Sequence, residues 1–166
     1  VLVGHSLGAA ISLNFAIREG AMLSAIAPVG GGVRMPVNPA ILEKIHTDLP
    51  SVIAMVVKFA VSKPNRDVVG PYLQEGLEKG NPDILYGDLF ACDRMDIESE
   101  VGKIGIPTLV ICGDDDKMTP PDLSRFIAGA VPGAKLALIE GAGHYVMREK
   151  PEEFNRVLAA FVRSLP

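Results

Sequence analysis

The sequence predicts an α/β fold, a mostly parallel sheet with flanking helices, interrupted by one helical insertion. Three observations predict it. The runs 21–29, 106–112 and 134–140 are apolar nearly throughout instead of alternating, as in strands buried on both faces. Helix-length segments with an apolar stripe stand between or after these runs, the arrangement that covers a parallel sheet. A Gly-x-Ser-x-Gly turn, Gly4-His5-Ser6-Leu7-Gly8, joins a strand pattern to a helix pattern.

The elements follow in order. Val1-Leu2-Val3 reads as the end of a strand, and residues 9–18 (AAISLNFAIR) as the helix that leaves the turn, with Gly20 placed to stop it. Residues 21–29 read as a buried strand ended by Gly30-Gly31-Gly32. From 33 to 100 the rhythm breaks. Apolar-periodic pieces near 39–47, 51–61, 68–79 and 82–92 are separated by Pro50, Lys63-Pro64-Asn65 and Gly80-Asn81-Pro82, which reads as a helical insertion over the sheet. Its Met35, Met55, Met95, Phe59, Tyr72, Tyr86 and Phe90 are expected to be mostly core, with a minority lining an apolar cleft.

The strand-and-helix pattern then resumes. After strand 106–112, a helix starts near Pro120-Pro121-Asp122 with Leu123, Phe126 and Ile127 facing inward. Strand 134–140 leads through Gly141-Ala142-Gly143 to His144. Pro151-Glu152-Glu153 then opens a helix whose Phe154, Val157, Leu158 and Phe161 form one stripe, with acids in its first turn. The first strand raises a difficulty. A strand feeding such a turn belongs well inside an open sheet, and at an edge it is an unprotected apolar pairing template.

Composition bounds the function. At 166 residues, 48% hydrophobic and 22% charged, the chain is that of a folded domain with a sizeable core. A net charge of -4 without a basic run argues against nucleic-acid binding. The apolar stretches 101–113 and 134–140 are too short to span a bilayer, and 51–61 is interrupted by Lys58. Cys92 and Cys112 have neither C-x-x-C nor zinc spacing and read as reduced, buried thiols. No metal or cofactor is called for. A cytoplasmic location is the expectation, although a chain beginning at Val within a strand does not report on its true N-terminus.

A serine hydroxyl is a weak nucleophile until a base takes its proton, and the base works best when a third group fixes its tautomer. Ser6 sits in the turn, His144 just beyond one strand, and Asp114, Asp115 and Asp116 just beyond another. Functional groups of open α/β sheets gather at these carboxyl ends. The order Ser, Asp, His is the one expected when the serine occupies a strand-to-helix elbow. His5 reads as a packing or hydrogen-bonding residue, and His46 lies in the insertion. The three aspartates lack calcium-loop spacing, and two of them are expected to be solvated turn residues.

On these residues the chain resembles the carboxyl-terminal part of an α/β-hydrolase of the lipase, esterase and lactonase type. The resembling stretches are residues 4–9 (GHSLGA), 106–120 (IPTLVICGDDDKMTP), 141–144 (GAGH) and 149–154 (EKPEEF). The resemblance implies Ser6 as nucleophile, His144 as base, and Asp116 as acid, placed after Gly113 and before Pro120 at the family's spacing. It implies a core of 1–32 and 101–166 and a cap of 33–100. A serine at the elbow, where dehalogenases and epoxide hydrolases carry aspartate, favours ester chemistry.

The family's earlier strands and its oxyanion loop have no counterpart here. The Leu7 backbone N–H is expected to be one oxyanion donor, and its companion would come from that missing loop. The expected function is a carboxylesterase acting on apolar or neutral esters through an acyl-enzyme. Its partners are then a small-molecule ester and an N-terminal fragment of the same hydrolase, and the isolated chain is expected to be weak or inactive. Enol-lactone or carbon–carbon bond hydrolysis by the same triad is the alternative, and a noncatalytic binding or regulatory fragment a third.

Overall fold

The computed structural model describes all residues from Val1 to Pro166. Four parallel strands form one sheet in the order β1 (Leu2–His5), β2 (Ile26–Val29), β3 (Leu109–Gly113) and β4 (Lys135–Ile139). Every strand therefore ends at the same edge, and the loops leaving that edge can meet. Helix α1 (Leu7–Glu19) connects β1 to β2, and α6 (Pro121–Ala130) connects β3 to β4. Helices α7 (Val146–Glu149) and α8 (Pro151–Arg163) follow β4.

The continuous apolar character of the central strands has a direct cause. Ile26 and Val110 point into a cluster with Leu13 and Ala16 of α1 and Ile127 of α6. Their neighbours Ala25, Ala27, Leu109 and Ile111 point to the opposite face, against Phe154 and Phe161 of α8. Successive side chains alternate between two buried layers, so no position on β2 or β3 is left for a polar residue.

Residues 33–100 contribute four helices between β2 and β3: α2 (Pro39–Lys44), α3 (Leu49–Ala60), α4 (Arg66–Glu78) and α5 (Pro82–Arg94). Three of them begin on side-chain caps with proline in the first turn. Asn38 accepts from the Ala40 amide at 3.0 Å, Asp48 from Ser51 at 3.4 Å and Asn81 from Asp83 at 2.8 Å. Helices α3 and α4 pack on each other through Ala60, Val61, Val69 and Leu73, and reach the loops of the sheet at Met118 and Tyr145. Helix α5 rests on α1 through Cys92, Met35 and Ala10.

Four expectations need correction. Helix α1 ends at its C-cap Gly20, as expected, but residues 20–22 form a 3-10 turn, so the strand expected over 21–29 starts only at Ile26. The strand expected over 106–112 forms at Leu109–Gly113, preceded by a single bridge from Thr108 to Ile26. Phe126 is 43% exposed, whereas Ile127 is fully buried. The aromatic side chains of the insertion are largely outside the core: Phe59, Tyr72, Tyr86 and Phe90 are exposed, and Tyr86 and Phe90 stack on one another at the surface. Helices two layers removed from the sheet have too little interior to bury them. Strand β1 does lie at the sheet edge, with Val3 45% exposed. No helix is long and apolar enough to cross a membrane.

Candidate active site

The turn between β1 and α1 is the most constrained backbone in the chain. Ser6 has φ 55° and ψ -117°, and no other non-glycine residue has positive φ. Such a conformation costs of order 1–3 kcal/mol and persists only where the surroundings impose it. Here they do. The Ser6 amide donates to the Val29 carbonyl at 2.9 Å, and the Ser6 carbonyl accepts from Ala9 at 2.9 Å and Ala10 at 3.2 Å. A Cβ at Gly4 would collide with the Gly8 carbonyl and Ser12 Oγ, so strand and helix approach closely only with glycine there. Leu7 is the first residue of α1, and a first-turn amide has no acceptor within its own helix.

The loop after β3 supplies a carboxylate. Of the three consecutive aspartates only Asp116 turns inward, where it is 3% exposed. Its Oδ1 accepts from the Met118 and Thr119 amides, both at 2.9 Å, a local turn that fixes the carboxylate plane. Asp114 accepts instead from the Gly141 amide at 2.8 Å, and Asp115 pairs with Lys117 at 3.2 Å. The two were expected to be solvated turn residues. Both stay at the surface, although Asp114 also ties two loops together.

The loop after β4 supplies the imidazole. His144 is 5% exposed, and its Nδ1 lies 2.9 Å from Asp116 Oδ2 and 3.1 Å from Thr119 Oγ1. The Thr119 hydroxyl donates to the same Oδ2 at 2.9 Å. With the carboxylate as acceptor, Nδ1 carries the proton and Nε2 is left as the basic nitrogen. Burial works to raise the Asp116 carboxyl, but the hydrogen bond and charge of His144, with the donors of Thr119, outweigh it and hold Asp116 below the usual carboxylate range. Gly30, at φ +52°, covers the pair, and a Cβ there would stand 3.3 Å from both Asp116 Oδ2 and His144 Nδ1.

Ser6, Leu7 and His144 border one cavity of about 530 Å³ between the sheet edge and the inserted helices. The hydrogen bonds of the imidazole run to Asp116 and Thr119, not to Ser6. His5 shares the cavity wall. Its Nε2–H donates to the His144 carbonyl at 2.9 Å, and the two rings stand 4.6 Å apart. Burial, and then the neighbouring His144, push the His5 pKa down to about 4, so the ring is neutral. His46 lies elsewhere, paired with Asp83 at 2.9 Å. Cys112 lies beneath the acid, with Sγ 3.8 Å from Asp116 Oδ2; burial, and then Asp116, push its thiol up to about 12, so it remains protonated. Cys92 is likewise a free, buried thiol.

A family model for the alpha/beta hydrolase family matches residues 1–157. The chain belongs to that family. Among curated family members, it is 29% identical over 180 residues to the 2-hydroxy-6-oxo-6-phenylhexa-2,4-dienoate hydrolase of Comamonas testosteroni, covering 98% of this chain and 62% of that protein. Among solved structures, a thermophilic esterase superposes with a TM-score of 0.85 at 35% identity, over 97% of this chain and 64% of that one. The enol-lactonase of Burkholderia xenovorans LB400 shares the fold, with a TM-score of 0.91 at 21% identity over 98% and 65% of the two chains. The chain thus spans a little under two thirds of the length of each of these relatives.

Within this family, the linked His144, Asp116 and Thr119 give the chain the acid–base potential of a hydrolase. Sequence reasoning missed Thr119, although an Asp followed three residues on by Thr is the spacing of a side-chain-closed turn. His5 is the packing and hydrogen-bonding residue expected, but its partner, the His144 carbonyl, has no sequence signal because the two meet only through the sheet.

Proposed function

We propose that the protein is a serine hydrolase in which Ser6 is the nucleophile, His144 the proton carrier and Asp116 the group that orients it. One observation carries this reading: a serine held at positive φ borders the same cavity as a buried imidazole whose Nδ1 is committed to a carboxylate. In the proposed cycle, His144 Nε2 takes the Ser6 proton as the hydroxyl attacks an acyl carbonyl. Asp116 stabilises the imidazolium, and the Leu7 amide donates to the developing oxyanion. His144 then protonates the leaving group, and a water activated by the same nitrogen releases the acid from the acyl-enzyme.

Residues 1–32 and 101–166 form the catalytic core in this reading, and 33–100 are its cap. The apolar border of Val3 on β1 and Ile11 and Phe15 on α1 is exposed. With the greater length of the relatives, it supports a preceding segment that pairs with β1, covers α1 and brings the second oxyanion donor. Loss of one such donor costs about 10²–10³ in rate, so the 166-residue chain by itself is expected to be weak or inactive.

The cavity favours a neutral or apolar acyl group. Its lining includes Met55, Val56, Phe59, Leu85 and Leu89; its one lysine, Lys117, is paired with Asp115 at 3.2 Å, and its one carboxylate is that of Asp88. A carboxylic ester is the first reading, supported by 35% identity to an esterase. A lactone or an activated ketone is the second, supported by the match along 98% of this chain to a hydrolase whose name gives a ketone-bearing dienoate as substrate. Product profiling of p-nitrophenyl esters, lactones and ring-cleavage ketones with the whole polypeptide separates them. Turnover confined to ketones overturns the ester reading, and no turnover in any class favours a noncatalytic role.

A further inference from the structure

The loop that carries His144 is tied to the inserted helices as well as to the sheet. The His144 amide donates to the Ala60 carbonyl, the last residue of α3, at 2.8 Å. The Gly141 carbonyl accepts from Asn65 Nδ2 at 2.9 Å and from Ser62 Oγ at 3.2 Å. At the centre of these contacts lies Glu149, the last residue of α7, only 8% exposed. Its Oε2 accepts from the Ser62 amide at 2.9 Å and from Asn65 Nδ2 at 3.0 Å, while Oε1 is buried without a partner. The junction is tight. A Cβ at Gly143 would stand 2.8 Å from the Ala60 carbonyl and the Ser62 amide, and 3.0 Å from Glu149 Oε1.

A carboxylate withdrawn from water is costly unless donors are supplied to it. Both donors that Glu149 collects come from the segment that follows α3, and its own helix follows His144. The group therefore spans the joint between the insertion and the histidine loop, and none of its atoms borders the cavity where Ser6 lies.

We propose that Glu149 is a positioning residue. Its carboxylate clamps the end of α3 onto the histidine loop and so fixes where His144 Nε2 points relative to Ser6. Because Met55, Val56 and Phe59 of α3 also line the cavity, the clamp makes the substrate wall and the imidazole move as one unit. This inference rests on the assignment of His144 as the base.

The test uses the whole polypeptide. Glu149→Ala is expected to lower kcat by about 10²-fold with KM nearly unchanged, the effect of a small misplacement of a catalytic group. Glu149→Gln keeps an acceptor oxygen for Ser62 and Asn65 and is expected to restore kcat close to wild type. Asn65→Ala, on a half-buried residue, should lower kcat in the same direction by less, and it decides the matter if Glu149→Ala does not fold. The downfield Nδ1–H proton resonance of His144 gives a readout free of turnover: it should shift or broaden in Glu149→Ala and persist in Glu149→Gln. An unchanged resonance and kcat in folded Glu149→Ala overturns the clamp, as does a loss of Tm in Asn65→Ala without loss of kcat. Absence of turnover in the wild type would count against the serine-hydrolase assignment, and the proton resonance would then decide the clamp alone.

Discussion

Acidification from about pH 7 to about pH 5 should cost the protein about 2 kcal/mol of stability through His5 alone. The ring is pressed against His144 and Tyr145 and donates Nε2–H to the His144 carbonyl. Burial and the neighbouring imidazole lower its pKa from 6.5 to about 4. The unfolded chain therefore binds a proton on this residue before the folded chain does. The stability is fully present above pH 6.5 and drains away between 6.5 and about 4, a total of about 3 kcal/mol. Asp116, held below its ordinary value of 3.8, has the same sign but acts lower: its contribution is present above that value and is lost only as the pH falls further.

The perturbation is His5→Gln, which keeps a donor for the His144 carbonyl and does not titrate. With no Trp in the chain, urea unfolding followed by far-UV circular dichroism is the suitable assay. Wild type should lose about 2 kcal/mol more than the variant between the two pH values. Equal losses in the two proteins would show that His5 is not held neutral by the fold.

Four further substitutions address the acid and its surroundings. Asp116→Asn should lower kcat by about 10⁴, because an amide facing Nδ1 selects the wrong tautomer; Asp114→Asn keeps its acceptor for the Gly141 amide and should leave ester turnover nearly unchanged. Thr119→Val removes the hydroxyl donor to Asp116 Oδ2, a hydrogen bond to a charged group worth about 2 kcal/mol, and should lower both Tm and kcat. Gly30→Ala forces a Cβ into a left-handed position at a cost of about 1–2 kcal/mol and crowds Asp116 and His144, so thermal melting and turnover should fall together.

Much of this architecture was legible in the chain because the relevant signals are local. Gly4 reported the close approach of β1 and α1, although a Cβ at Gly8 would meet nothing, and β3 announced itself by a fully buried run, whereas β4 at the other edge is only half-buried. Proline-led helix starts placed α6 and α8. The choice of Asp116 over Asp114 and Asp115 came from the family resemblance, and only Asp116 turns inward. What escaped was set by tertiary contact. Phe126 and Ile127 are adjacent and both apolar, and only the rotation of α6 against the sheet decides which is buried. Tyr86 and Phe90 read as core, yet the insertion is too thin to enclose them. Glu149 stood out only as part of the stretch 149–154 that resembles the family; its burial has no local signal, since its partners Ser62 and Asn65 lie far away in sequence and meet it only at the joint with α3.

Labelling of the whole polypeptide with a fluorophosphonate, followed by mass mapping of the adduct, bears on the nucleophile itself. A single adduct on Ser6 is expected, abolished in Ser6→Ala and strongly slowed in His144→Ala. An adduct that persists in Ser6→Ala, or neutral ester turnover that survives that substitution, would contradict the assignment of Ser6 as the nucleophile.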